Sequence, residues 1–306
     1  MYNKPHGLID CREVDMFEKI VVPLDGSSEA EIVLPYVIAL GTAFGAEVTL
    51  VTAAEAETPD KSHLLRSYLK RVAENLKDTI KGRSDLIVST DVFAGKPADE
   101  IIKYAAQKKT DLTIIAGHGA SGGNPQLLGN IATKILSASN KPVLLVRAKE
   151  TRSAKPDDLI RRILVPLDGS NMSEGSLKTV EPMAARLRAE IVLFQAVEPV
   201  RYVPGFETMV PNVILPSDDE IKRAAAKYLS GIETTLKQRG IKTSSMIIAY
   251  APAEAIIDYA DSDDIDIIAM TTHGFSGIKR WVFGSTTEKV LRASTKPILV
   301  IPTTKA

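Results

Sequence analysis

KIVVPLDGSSEAE, Lys19–Glu31, returns as RILVPLDGSNMSE, Arg162–Glu174, and the reading of this repeated stretch decides the fold. In each copy a β-branched apolar run ends at V-P-L, and D-G-S follows with acidic residues behind it. That order describes a buried strand, a turn and the start of a helix. Later pieces recur too. GKPADEIIKYA (Gly95–Ala105) returns as YAPAEAIIDYA (Tyr250–Ala260), DLTIIAGHGASG (Asp111–Gly122) as DIIAMTTHGFSG (Asp266–Gly277), and NKPVLLV (Asn140–Val146) as TKPILVI (Thr295–Ile301). The chain is therefore written twice. Val22 and Val165 stand 143 residues apart, whereas Ala116 and Thr271 in the later pieces stand 155 apart. The second copy thus carries about 12 extra residues, in or near the proline-rich stretch 198–220.

Each copy alternates short apolar runs with helical patterns. In the first the runs are KIVVPL, EVTLVTA, DLIVSTDV, DLTIIA and PVLLV; SEAEIVLPYVIALGTAF and SHLLRSYLKRVAENLKDTI between them read as helices. Continuous rather than alternating apolar runs are the mark of parallel strands covered on both faces. The expected fold class is α/β: two tandem doubly wound domains, each a five-stranded parallel sheet of order 3-2-1-4-5 with helices on both faces. The expected division is a tail at 1–15, a first domain at 16–148, a polar linker at 149–158 and a second domain at 159–303.

Composition narrows the partners. The 306 residues carry 38 basic and 38 acidic side chains, which argues against nucleic acid and anionic membranes as partners. Cys11 is the single cysteine, so no internal disulfide forms. The N-terminus lacks the apolar core of a signal peptide, and no apolar run reaches the roughly 18 residues of a spanning helix. A cytoplasmic protein is expected.

In an open parallel sheet the ligand sits beyond the carboxyl ends of the strands, where the winding reverses. With strands 1 and 4 adjacent, VPLDGS and the H-G-x-S-G loop face one crevice. Asp25 and Asp168 there can accept hydrogen bonds from a base amine or a ribose hydroxyl. Gly274, Gly277 and Gly284 let backbone N–H groups approach a polyanion, and Gly129 and Gly284 open helices whose N-termini favour one. Base on one side and phosphates on the other make a nucleotide pocket. The alternative is a strand followed by an Asp/Ser cap, with glycines that only make turns. If Asp168 serves a ligand alone, it is dispensable to stability.

Three familiar motifs do not hold. GHGASG (Gly117–Gly122) matches the dinucleotide fingerprint but follows the fourth strand, and its second copy, THGFSG, loses the first glycine. GASGG (Gly119–Gly123) matches a nucleophile elbow that the second copy, GFSGI, breaks. No GxxxxGK[ST] is present. His118 and His273 stand in equivalent places and read as hydrogen-bonded structural residues, and no metal-ligand constellation or catalytic group is assigned.

A strand ending in P-x-D-x-S, a strand ending near H-G, nine residues and G-[ST], and a closing K-P-[IV]-L-[VL]-V together resemble the universal stress protein family. The resemblance covers Met16–Arg147 and Leu159–Pro302. That family's phosphate motif, G-x2-G-x9-G-[ST], falls on Thr271, Gly274, Gly284 and Ser285, and in the first copy on Ala116, Gly119, Gly129 and Asn130. Both copies depart at the first glycine, and the first also at the hydroxyl. The resemblance implies ATP as ligand with a divalent cation, Mg or Mn. It implies base contacts at Pro166, Leu167, Asp168, Ala196 and Met270, and at Pro23, Leu24, Asp25, Ala53 and Ile115, with Thr286 beside Ser285 at the phosphates. It also implies a pseudo-dimer inside the chain, joined near PVLLV and PILVI, and a possible homodimer of the tandem chain.

The function so implied is a regulatory, stress-response ATP-binding protein. A slow ATP hydrolase and an interaction scaffold without nucleotide are the alternatives. The second site is expected to bind ATP more tightly, because Ser285 offers a hydroxyl where Asn130 is bulkier, and Lys279 and Arg280 lie in its loop. The insert Pro199–Pro216 reads as a flap, an interface arm or a packed connector.

Overall fold

The computed structural model describes residues 16–54, 59–81, 86–119, 128–147, 156–198, 217–274 and 283–303. The first half carries strands β1 (Lys19–Pro23), β2 (Glu47–Ala54), β3 (Ile87–Ala94), β4 (Leu112–Ala116) and β5 (Val143–Val146). The second carries β6 (Arg162–Pro166), β7 (Glu190–Val197), β8 (Thr243–Ala249), β9 (Ile267–Thr271) and β10 (Ile298–Ile301). All pair within one ten-stranded sheet, in the order β3-β2-β1-β4-β5-β10-β9-β6-β7-β8. Each half therefore has the order 3-2-1-4-5, parallel throughout.

The halves meet along β5 and β10, which run antiparallel with Ile298 opposite Leu145, Leu299 opposite Leu144 and Val300 opposite Val143. All six side chains are buried. Because successive side chains point to opposite faces, Leu144 and Leu299 join the apolar layer on one side of the sheet, and the other four join the layer on the other side. Both layers run through both halves without interruption.

Helix starts follow the sequence signals. Ser27 and Ser170 cap the helices behind each D-G-S, accepting from the backbone N–H groups of Ala30 and Ser173. Pro97 and Pro252 sit in the first turn of their helices, where a missing N–H costs nothing. Ser217 and Glu220 form a reciprocal capping box at the start of Asp218–Gln238. The segment read as one helix from Ser28 to Phe44 is two, Ser28–Glu31 and Leu34–Phe44. Pro35 supplies a reason: it has no N–H to return to Glu31, and its ring would crowd that carbonyl. The second copy breaks at the same place, between Asn171–Glu174 and Leu177–Leu187, across Gly175 and Ser176.

Two arginines tie the halves together. Arg186 Nε donates to the Ala43 carbonyl at 2.6 Å, at the end of the first half's helix Leu34–Phe44. Arg147, just past β5 and 9% exposed, donates to the carbonyls of Leu291 and, at 3.2 Å, of Arg292. These carbonyls close the helix Ser285–Ala293 of the second half, the end that favours a cation. The tail at 1–15, most of the linker and the insert Pro199–Pro216 lie outside the described residues.

Candidate functional site

At the carboxyl ends of β1, β2 and β4 a cavity of about 290 Å³ opens, and β6, β7 and β9 frame a second of about 280 Å³. The order of each half-sheet puts these openings where its winding reverses. The nine residues singled out in the first copy, Pro23, Leu24, Asp25, Ala53, Ile115, Ala116, Gly119, Gly129 and Asn130, all line the first cavity. In the second copy Pro166, Leu167, Asp168, Ala196, Met270, Thr271, Gly274, Gly284, Ser285 and Thr286 line the second. Gly277 lies outside the described residues, as do Lys279 and Arg280.

Sequence reasoning missed the cavity walls that helices supply. Pro97 and Ile101 cover the first cavity, and Pro252 and Ile256 the second. The repeated P-A-x-x-I pattern held that signal, because it puts a proline in the first turn of a helix and an isoleucine four residues on, on the same face. Thr52, on β2, and Phe194, on β7, were missed because the face of a continuously apolar strand is not legible from its pattern.

The D-G-S turn is built the same way twice. Asp25 Oδ1 accepts from Ser27 N at 3.0 Å and Ser27 Oγ at 2.5 Å. Asp168 Oδ1 accepts from Ser170 N at 3.0 Å and Ser170 Oγ at 2.6 Å. Gly26 and Gly169 take φ of +92° and +83°, which an L side chain rarely adopts. Asp168 is therefore not dispensable to the fold: it holds the turn that starts the next helix. The two roles, turn and cavity wall, fall on one side chain. The other carboxylate oxygen of each aspartate packs against the glycine loop, Asp25 on Gly119 and Asp168 on Gly274.

Gly129 and Gly284 are the N-caps of the helices Asn130–Ala138 and Ser285–Ala293, each with no side-chain cap. Gly129 N–H donates to the Gly117 carbonyl and Gly284 N–H to that of Thr272, both at 2.8 Å. The two glycines differ in room. A methyl group at Gly129 would meet the Gly117 oxygen at 3.2 Å, whereas at Gly284 its nearest neighbours would be 3.6 Å away, an ordinary contact. With φ of −65°, Gly284 has no conformational need of glycine either. Packing among the described residues therefore leaves the absence of a side chain there unexplained.

The two histidines are placed differently. His273 Nδ1 lies 3.2 Å from the Thr272 hydroxyl. In the first half Gly117 replaces that threonine, which leaves room for the Arg147 stem 3.4 Å from where a Cβ would be. His118 Nε2 is buried and has no hydrogen-bond partner among the described residues. Burial first, and then the Arg147 charge, hold its imidazole below the ordinary histidine pKa. Among the described residues no group of three or more His, Cys, Asp and Glu side chains could hold a metal ion, and no helix is long and apolar enough to cross a membrane.

The sequence model of the universal stress protein family matches residues 16–147 and 159–302. A universal stress protein of Methanocaldococcus jannaschii is 27% identical over 154 residues, 47% of this chain and 95% of its own. One from Mycolicibacterium smegmatis is 22% identical over 275 residues, 89% of this chain and 87% of its own. Among solved structures, a universal stress protein from Archaeoglobus fulgidus has a TM-score of 0.71 at 20% identity, covering 94% of this chain and 99% of its own.

Proposed function

The chain belongs to the universal stress protein family, and from that premise we propose that it is an ATP-binding regulatory protein of the stress response, with the second cavity as its principal nucleotide site. The base would lie among Leu167, Ala196 and Met270, and the ribose at Asp168. The phosphates would lie at Gly284, Ser285 and Thr286, where the helix start offers backbone N–H groups, two hydroxyls and the positive end of the dipole. A divalent cation, Mg or Mn, would arrive on the phosphate oxygens, since such ions keep most of their ligands from substrate and water.

The observation that carries this reading is Gly284: a glycine that neither φ nor packing among the described residues requires, at the N-terminus of a helix that faces a cavity. A phosphate approaching the backbone gives it a reason. The test is calorimetric titration of the full chain with ATP and Mg, alongside Asp168→Asn. Asparagine keeps an oxygen for the Ser170 turn and removes the charge. ATP affinity should fall about tenfold or more, the loss of a charged hydrogen bond, at an unchanged melting temperature. No ATP binding by the wild-type chain would end the proposal, and unchanged affinity in the variant would leave Asp168 as a turn residue only.

A further inference from the structure

The two cavities share a frame and differ at the end where phosphates would go. Gly284-Ser285-Thr286-Thr287 lines the second with three hydroxyls, and Gly129-Asn130-Ile131-Ala132 lines the first with an amide and apolar side chains. Ile131, in the place of Thr286, is 37% exposed at this opening. Asp25 is the one formally charged side chain among the described residues lining the first cavity, and it is negative. The sequence from Ala120 to Leu128 adds no charge at all, where the second copy has Lys279 and Arg280. Arg147, whose stem lies beside Gly117 of this wall, sends its guanidinium away, to the carbonyls of Leu291 and Arg292. A polyanion entering here would meet a carboxylate and an isoleucine.

The remaining lining suits a neutral, hydrogen-bonding ligand. Thr52 puts a hydroxyl-bearing side chain, 3% exposed, on the wall at the end of β2. Its counterpart in the repeat, Gln195, does not line the second cavity. His118 also lines this cavity, and its buried Nε2 has no hydrogen-bond partner among the described residues. Leu24, Ile101 and Ile115 supply apolar faces for a flat ring. Asp25 can accept from a sugar diol without any phosphate present.

We propose that the first cavity is a receptor for an uncharged nucleoside, a base with its sugar and no phosphate chain, while the second keeps the triphosphate. This rests on the reading of both cavities as adenine sites. The protein would then sense two forms of one compound at once, the charged carrier in one half and its dephosphorylated product in the other.

The experiment is a two-stage calorimetric titration of the full chain. ATP with Mg should bind with one equivalent, and adenosine added to the ATP-saturated protein should bind with one more. The second event should be insensitive to salt, since no charge pair is screened. Asp25→Asn, which keeps an oxygen for the Ser27 turn and removes the charge, should weaken it about tenfold or more, and Ala53→Leu, which fills the cavity without touching the turn, should abolish it. Both variants should still take one equivalent of ATP. Two equivalents of ATP in the wild type, or an ATP-saturated chain that ignores adenosine, would overturn the proposal while leaving the ATP site standing. If neither compound binds, both readings fall together.

Discussion

Asp168 and Gly274 are in direct contact: a methyl group at Gly274 would stand 2.2 Å from Asp168 Oδ2, and in the first half the same pair, Asp25 and Gly119, would be 2.1 Å apart. Two motifs about a hundred residues apart in sequence are thus fitted to each other with no room for a single added carbon. The glycine in the middle of the motif is a packing requirement of the aspartate, whereas Gly284 at its end is not.

That contrast separates two substitutions. Gly274→Ala should cost about 1–3 kcal/mol, the range for overpacking, because the Asp168 carboxylate must move and the Ser170 turn with it. Gly284→Ala should cost no more than about 1 kcal/mol, the scale of an N-cap change, and still weaken ATP more than tenfold. Thermal melts and ATP titrations of the two variants check this. ATP affinity left intact by Gly284→Ala would assign that glycine to the turn.

Leu299 and Leu144 face each other across the seam and are 1% and 0% exposed. Leu299→Ala should destabilise by about 2–5 kcal/mol. Since both apolar layers cross the seam, scanning calorimetry should show one transition that moves as a whole. Two transitions, with only the later one shifted, would mean that the halves unfold independently.

Arg188 ends the helix Leu177–Leu187 in the left-handed region, φ 56°, where the first copy has Gly45 at φ 63°. It is exposed, so no side-chain packing explains the arginine. Arg188→Gly should raise stability by about 1 kcal/mol, the cost of that conformation for a residue with a Cβ. A denaturant midpoint that stays put or falls would count against the strain.

His118 has a folded pKa below its ordinary 6.5. Below 6.5 the unfolded chain takes up a proton that the folded chain refuses, so stability falls with pH from about 6.5 down to the folded pKa. Above 6.5 this contribution is complete. Melting temperature should therefore rise with pH through that window and level off, and His118→Gln should flatten the rise. An unchanged slope in the variant would place the titration elsewhere.

Most of the fold was legible because it was written twice. The runs from KIVVPL to PVLLV became β1 to β5 within two residues at each end, and the expected order 3-2-1-4-5 is the one found, with the two repeated motifs at one crevice. The lining from strand ends and glycine loops was legible for the same reason. What was not legible depends on register between distant elements. Ile101 and Ile256 reach the cavities only because of how their helices lie over the sheet, and the Arg147 contact joins residues 145 positions apart with no pattern to announce it. The helix breaks near Val33 and Gly175 were hidden by apolar periodicity that continues across them.

Arg147 has one further consequence. By the repeat its counterpart is Pro302, which has no guanidinium to send back, and Thr272 stands where Gly117 makes room. Two identical subunits related by a twofold axis must carry every substitution at both places. A chain that holds both copies on one backbone is released from that rule. Each half can then specialise against the other, and the crossing at Arg147 marks where the inherited twofold symmetry has been given up.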